Sequence, residues 1–303
     1  MSYPSAMTRV GLILRNEWTE ALRSRRIWVV ILLYVAVALL SMNGMLSLLL
    51  RLENELAELL GLQAGTQPGA VVDALWRSPR FRQMMANAMR SESIVLDLTG
   101  QSPVVLAYAG LAFFYTPLLV ALVTPLRIAE DLASGTIRYI VTRTSLISWT
   151  LGKFLAQALL FALALLLSAA GAWLLTRYRM VGADPWALAT GIFLWSARVW
   201  FYGLAFMGLV MGLAHWTSSP SKAMATSLLA VFGTSIAVWL FERYTGDGWQ
   251  GLFALLQGIL PQAYRMELWR SSWLYIWPAA CTLCALGLTY LFAGYAVFRR
   301  RDL

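Results

Sequence analysis

The residues best suited to specific polar contacts lie in one basic segment, residues 127–153, between two long apolar blocks. Its polar side chains are Glu130, Asp131, Ser134, Thr136, Arg138 and Arg143, with Gly135 between the two hydroxyl residues. Carboxylates and guanidinium groups make charge-assisted hydrogen bonds to protein partners, and Ser-Gly-Thr is typical of a helix that stops and restarts. The segment predicts either a docking surface or a solvated loop with the arginines that ordinarily flank membrane spans.

Two more polar side chains, Arg198 and Asn43, fall inside apolar blocks. A charge within a span costs about 2.5–3.5 kcal/mol on insertion scales, so Arg198 should face protein, water or a counter-charge. One interpretation places Arg198 and Asn43 on a substrate path, with Arg198 contacting an anionic group. The other makes residues 186–197 an interfacial helix, with the span starting near Val199 and Arg198 at the outer headgroups.

The remaining motifs predict packing and no chemistry. Gly208 and Gly212 form GxxxG, a spacing that lets helices approach closely within the chain or at a dimer seam. Cys281 and Cys284 have a metal-like spacing, but they lie in an apolar block without a second ligand pair. His215, the only histidine, is predicted at the membrane interface. We therefore predict no catalytic residue and no metal site.

The composition is that of a membrane protein. Hydrophobic residues make up 59% of the 303 residues and charged residues 13%, whereas soluble domains carry about 25% charged residues. Several apolar blocks reach the roughly 20 residues that a spanning helix needs. The net charge of +9 is spread over short segments beside these blocks, so we exclude nucleic acid as a partner.

The pattern predicts an all-α membrane protein with six transmembrane helices. Residues 1–26 are predicted to contain a cytoplasmic amphipathic interfacial helix, and residues 27–303 the transmembrane domain. The predicted spans are residues 27–50, 104–126, 149–175, 187–214, 221–241 and 274–297. The predicted connections are an extracytoplasmic loop of two short surface helices (51–103), a cytoplasmic loop (127–148) and an extracytoplasmic or re-entrant linker (242–273).

Arginine placement predicts the orientation. With both termini cytoplasmic, the inside segments carry thirteen cations and five acids, whereas the outside segments carry ten of each. Positive charge concentrates on the cytoplasmic side of membrane proteins. Both termini and the 127–148 loop are therefore predicted to be cytoplasmic.

These features, in this order, resemble the ABC-2 type permease family, the membrane half of ATP-binding-cassette exporters. The resemblance is carried by RNEWTEALRSRRIW before the first span, Glu130 ahead of Gly135-Thr136, Gly152-Lys153 at the third span, and the final FRRRDL. It implies a type V exporter-like fold. Relatives of this kind include the permease of nitrous-oxide-reductase maturation and permeases that export sodium or antibiotics.

The resemblance also implies partners and a contact. In the family, the loop after the second span forms a coupling helix that docks in a groove of an ATPase. Carried to this chain, the contact involves Glu130, Asp131, Ser134, Gly135, Thr136, Arg138 and Arg143. Two ATPase subunits and a second permease copy, identical or homologous, would assemble in a plasma membrane (the bacterial inner membrane). The phosphate-binding sequence G-x-x-x-x-G-K-[ST] is absent here. ATP and Mg²⁺ would therefore bind to the ATPase, and this chain would bind no cofactor.

The leading functional hypothesis is export of an amphiphilic or lipid-like substrate, because the spans hold few ionisable groups. A second hypothesis is a subunit that passes ATPase-driven movement to an extracytoplasmic partner seated on residues 51–103. An intramembrane enzyme and a passive membrane anchor are further alternatives.

Overall fold

A computed structural model describes residues 5–59, 78–89, 92–180, 184–217, 219–244 and 256–300. Helices account for almost all regular structure in these ranges. They are α1 (Ala6–Arg23), α2 (Arg25–Leu59), α3 (Pro79–Met89), α4 (Glu92–Thr99), α5 (Pro103–Val123), α6 (Leu126–Ala133), α7 (Thr136–Arg143), α8 (Leu146–Arg179), α9 (Pro185–Ala214), α10 (Pro220–Tyr244), a 3₁₀ turn (Pro261–Tyr264), α11 (Arg265–Leu268) and α12 (Trp273–Arg299). The predictions for residues 60–77, 245–255 and 301–303 lie outside the described residues.

Six helices in the described ranges are long and apolar enough to cross a membrane: α2, α5 with its continuation α6, α8, α9, α10 and α12. The six predicted spans are confirmed. The first predicted surface helix of the 51–103 loop is instead the end of α2, which continues to Leu59 because RLENELAEL contains no glycine or proline to stop it. In the region of the second, predicted near residues 80–96, the structure describes helices α3 and α4.

Helix α9 is the centre of the bundle and packs against α5, α8 and α12. In its most apolar stretch 72% of the residues are buried, compared with 17% in α10. The outer helices α2, α10 and α12 leave much of their apolar surface uncovered. In a bilayer this surface faces lipid or another protein.

Glycines allow α9 and α12 to approach backbone to backbone. A Cβ atom at Gly208 would collide with the backbone of Gly287, and one at Gly212 with the carbonyl of Tyr290. On α12, a Cβ atom at Gly294 would likewise collide with the Gly212 backbone. The structure therefore places the GxxxG sequence at a helix contact within the chain.

Candidate coupling site

The segment after the second span consists of two short helices joined by a tight turn. Helix α6 ends at Ala133, α7 begins at Thr136, and Gly135 between them has a φ of 71°. This left-handed conformation favours glycine, because it costs other residues roughly 1–2 kcal/mol. The Ser134 and Thr136 hydroxyl groups share a hydrogen bond of 2.7 Å across the turn. The helix interruption that the sequence predicts is thus present, and its geometry is fixed locally.

One side of this unit is buried and the other is open. Ile128, Ala129 and Ile137 pack into the bundle. The open side, here called the α6–α7 face, consists of Glu130, Ser134, Thr136, Arg138 and Tyr139. Tyr139 is the most prominent, with 78% of its surface exposed. The exposed side of the unit therefore carries two hydroxyl groups, a carboxylate, a guanidinium group and an aromatic ring, and its other side is packed in the bundle.

A buried ion cluster ties this unit to two other helices. The Lys153 ammonium on α8 lies 2.8 Å from Glu17 Oε1 on α1 and 3.0 Å from Asp131 Oδ2 on α6, and only 4% of its side chain is exposed. Trp149, one turn earlier on α8, donates a hydrogen bond from Nε1 to the same Asp131 oxygen at 3.2 Å. We call these four residues the Lys153 cluster.

The ion pairs of the Lys153 cluster stabilise the packing of α1, α6 and α8 against one another. A buried ammonium is tolerated only when charged partners replace its water, and removing one partner from a buried pair typically costs about 3–5 kcal/mol. The helices are also close enough for this, because Gly152 has no side chain: a Cβ there would meet Ile13 of α1 at 2.6 Å. Movement of α6 is therefore coupled mechanically to α1 and to the third span.

The structure distributes the predicted contact residues over different environments. Glu130, Ser134, Thr136 and Arg138 are exposed, and Gly135 forms the turn. Asp131 directs its carboxylate inward to Lys153 and Trp149. The side chain of Arg143 lies outside the described residues. An ATPase contact through the seven residues stays a prediction, and for Asp131 the geometry indicates an anchoring role.

Comparison with known proteins now bears on the class of the chain. Residues 12–303 match the family model described as ABC-2 family transporter protein. The chain belongs to the ABC-2 transporter family. It is accordingly a multi-pass membrane permease subunit of an ABC transporter, a family that generally works with an ABC ATPase and in pairs of permeases. No curated protein matches the sequence.

In this ABC-2 permease, Arg198 and Asn43 have separate protein partners. The Arg198 guanidinium donates from Nη1 to the carbonyls of Leu268 and Arg270, each at 3.0 Å, and lies over the Trp195 ring. Asn43 accepts a hydrogen bond from Arg179 at 2.7 Å. Arg198 is buried in helix α9, which runs without a break from Pro185 to Ala214, so residues 186–197 do not form a separate helix. The location of Arg198 at the depth of the outer headgroups stays a prediction. The Arg198 contacts hold the linker after α11, and a role on the substrate path stays a prediction.

His215 caps the end of α9, and its side chain is fully buried in the permease. Its position at the membrane interface stays a prediction. Nδ1 is 2.7 Å from the Met211 carbonyl, and the ring packs edge-on against Trp149. Burial lowers the pKa of His215 to about 4, so the imidazole is neutral at physiological pH.

Sequence reasoning did not anticipate four members of this site. Glu17 and Lys153 entered only as parts of the family motifs, and Trp149 and Tyr139 were not assigned to the site. Lys153 is one of only two lysines in the chain, beside Lys222, and lies just inside an apolar helix. That position is a usable signal, because a lysine inside an apolar helix demands a charged partner.

Proposed function

We propose that the α6–α7 face is the docking site for a separate ABC ATPase, and that this permease exports an amphiphilic or lipid-like substrate with the energy of ATP hydrolysed there. The observation that carries the proposal is the combination of an exposed face with the buried Lys153 cluster directly behind it. The α6–α7 unit lies on the cytoplasmic side in this proposal, as the arginine distribution favours.

The composition of the face supports docking. Tyrosine and arginine are enriched among the residues that dominate binding energy at protein interfaces. Tyr139 and Arg138 are adjacent on α7. Because most of the Tyr139 surface is exposed, a partner can bury it without breaking contacts within the permease. Glu130 adds a carboxylate about two turns away along the chain, so the face offers both charges for electrostatic complementarity.

The anchoring supports transmission of movement. A docked ATPase can bias the permease only if displacement of the docking helix changes the packing of the spans. Asp131 belongs to the docking unit and Lys153 to the third span, and their ion pair at 3.0 Å connects the two directly. Glu17 extends the connection to α1.

The first experiment is co-purification in mild detergent with Tyr139→Ala. Loss of an interface hot spot of about 2 kcal/mol weakens binding roughly 30-fold, so we expect the ATPase subunit to be lost from the purified permease. The matched control is Tyr178→Ala, because Tyr178 is equally exposed but lies at the opposite end of α8. The proposal fails if both variants retain the ATPase, or if the wild type binds none.

A second variant tests the charges. Glu130→Ala combined with Arg138→Ala should reduce ATPase association and substrate-dependent ATP hydrolysis while the permease still inserts in the membrane. Both side chains are exposed, so the fold should survive their removal. Unchanged association and unchanged hydrolysis would argue for a solvated loop.

The second hypothesis, transmission to an extracytoplasmic partner, gains no specific support from the described residues. Ile94, Val95 and Leu98 of helix α4 are buried against the bundle. Asp97 of the same helix accepts hydrogen bonds from the backbone and hydroxyl of Ser271 in the linker. A partner seat in residues 51–103 would have to be formed by other parts of that loop.

A further inference from the structure

Helices α1 and α2 meet at a corner that is rich in arginine. Arg23, Arg25 and Arg26 are all exposed there, within four consecutive residues, and we call them the basic corner. Trp28 donates a hydrogen bond from Nε1 to the Leu22 carbonyl at 2.8 Å, which fixes the start of α2 against the end of α1. Three guanidinium groups therefore extend from a defined backbone at the beginning of a membrane span.

The arginines of the basic corner lack strong counter-charges. Arg23 and Arg25 make no ion pair with any residue that the structure describes. Arg26 approaches Glu130 Oε1 at 4.0 Å, but 91% of its side chain is exposed, and ion pairs between exposed side chains are weak. Like charges that are close together raise the local positive potential, which attracts anions.

An uncovered apolar stripe continues from the basic corner along α2. Val29, Leu32, Leu33 and Leu40 lie on the same side of the helix as Arg25, because their spacing follows the helical repeat. Their exposed fractions run from 60% to 71%. Cationic side chains at one end of an apolar stripe match a phospholipid, whose phosphate lies at the membrane surface and whose acyl chains extend into the bilayer.

A second permease copy is the other candidate to cover this stripe. If two α2 helices faced each other across a two-fold axis perpendicular to the membrane, the basic corners of both copies would lie at the same depth. Like charges brought together in an interface cost free energy. An anionic lipid instead neutralises the arginines, so charge complementarity favours the lipid.

We propose that the basic corner and the apolar stripe of α2 form a binding site for an anionic phospholipid. The arginines bind the phosphate through their N–H groups, which suit phosphate oxygens in geometry and charge, and the acyl chains lie along the stripe. The site adjoins the coupling site, since Arg26 also approaches Glu130. Lipid binding goes beyond the proposed function and does not depend on it.

The test uses the full-length permease in phosphatidylcholine nanodiscs that contain a small fraction of phosphatidylglycerol with a photoactivatable diazirine in one acyl chain. We expect labelling of residues 28–40, and less labelling by phosphatidylcholine with the same diazirine, because that head group has no net charge. Arg25→Gln combined with Arg26→Gln should reduce phosphatidylglycerol labelling roughly 20- to 30-fold, since each arginine near anionic lipid contributes about a five-fold preference. Arg25→Lys combined with Arg26→Lys keeps both charges and should retain most of the labelling.

The matched control is Arg299→Gln combined with Arg300→Gln, because these two arginines are also exposed at the end of a span. Thermal unfolding in phosphatidylcholine alone guards against misfolding, and both double glutamine variants should unfold at the wild-type temperature, since all four side chains are exposed. The proposal is overturned if the two double glutamine variants are labelled alike, or if the phosphatidylcholine probe labels residues 28–40 as strongly as phosphatidylglycerol. Oxidative cross-linking of Leu32→Cys to the same position of a second permease copy would also overturn it, because that copy would then cover the stripe.

Discussion

Replacing Lys153 by methionine is the most informative perturbation of the coupling site. Methionine keeps the length and apolar stem of lysine but removes the ammonium that Glu17 and Asp131 share. The two carboxylates, which now contact the same nitrogen, would face each other without a counter-charge. We expect one of them to move toward solvent, and α1 or α6 to move with it.

The size of the effect follows from burial. Removing one partner of a buried ion pair costs about 3–5 kcal/mol, and the carboxylates are partly solvated, which favours the lower end near 3 kcal/mol. Such a loss is large against a typical total stability of about 5–15 kcal/mol. It corresponds to a fall in unfolding temperature of roughly 6–12 °C.

Tryptophan fluorescence during heating of the purified permease measures the fall, and limited trypsin digestion at the α1 arginines reports whether α1 detaches. Lys222→Met is the control, because Lys222 is the only other lysine and is exposed. A triple variant that adds Glu17→Gln and Asp131→Asn should recover much of the lost stability, since no carboxylate then lacks a partner. If Lys153→Met and Lys222→Met unfold at the same temperature with equal cleavage of α1, the cluster does not anchor these helices.

Three further predictions concern packing and pH. Gly208→Ala should destabilise the bundle by about 1–3 kcal/mol in thermal unfolding, because its methyl group meets the Gly287 backbone, whereas Gly233→Ala, with open space around it, should not. Arg198→Met should remove two charged hydrogen bonds worth about 1.5–3 kcal/mol each and raise hydrogen exchange in residues 261–270; unchanged exchange would mean that the linker is held otherwise. Because the folded pKa of His215 is about 4, below its ordinary value near 6.5, the unfolded chain takes up the proton first and stability falls as the pH drops through that window. His215→Gln should flatten this part of the pH profile, and an unchanged slope would show that other groups produce it.

The six spans could be predicted from the sequence, because a helix that crosses a bilayer must be long and apolar and so produces a long run of apolar residues. The helix interruption at Ser134–Thr136 was equally visible, since glycine is the residue that a left-handed turn requires. Boundaries failed where no breaker residue marks them, as in α2, which extends nine residues past the predicted end at Leu50.

The side-chain partners in the coupling site were not accessible in this way. Glu17 and Lys153 are 136 positions apart in sequence, and their pairing depends on how α1 lies on α8. Asp131 was predicted to be a contact residue from the family resemblance, yet its carboxylate contacts Lys153 and Trp149. The Nη1 group of Arg198 is bonded to backbone carbonyls, which carry no sequence signature at all.

The most direct test of the account is site-specific photocrosslinking from the α6–α7 face. A benzophenone amino acid is placed at Tyr139 in one variant and at Tyr178 in another, both highly exposed tyrosines, and native membranes are irradiated. The account predicts a cross-linked product only from position 139, containing a protein that carries the G-x-x-x-x-G-K-[ST] sequence of nucleotide-binding subunits. A product with that protein from position 178 alone, or from neither position, would contradict it.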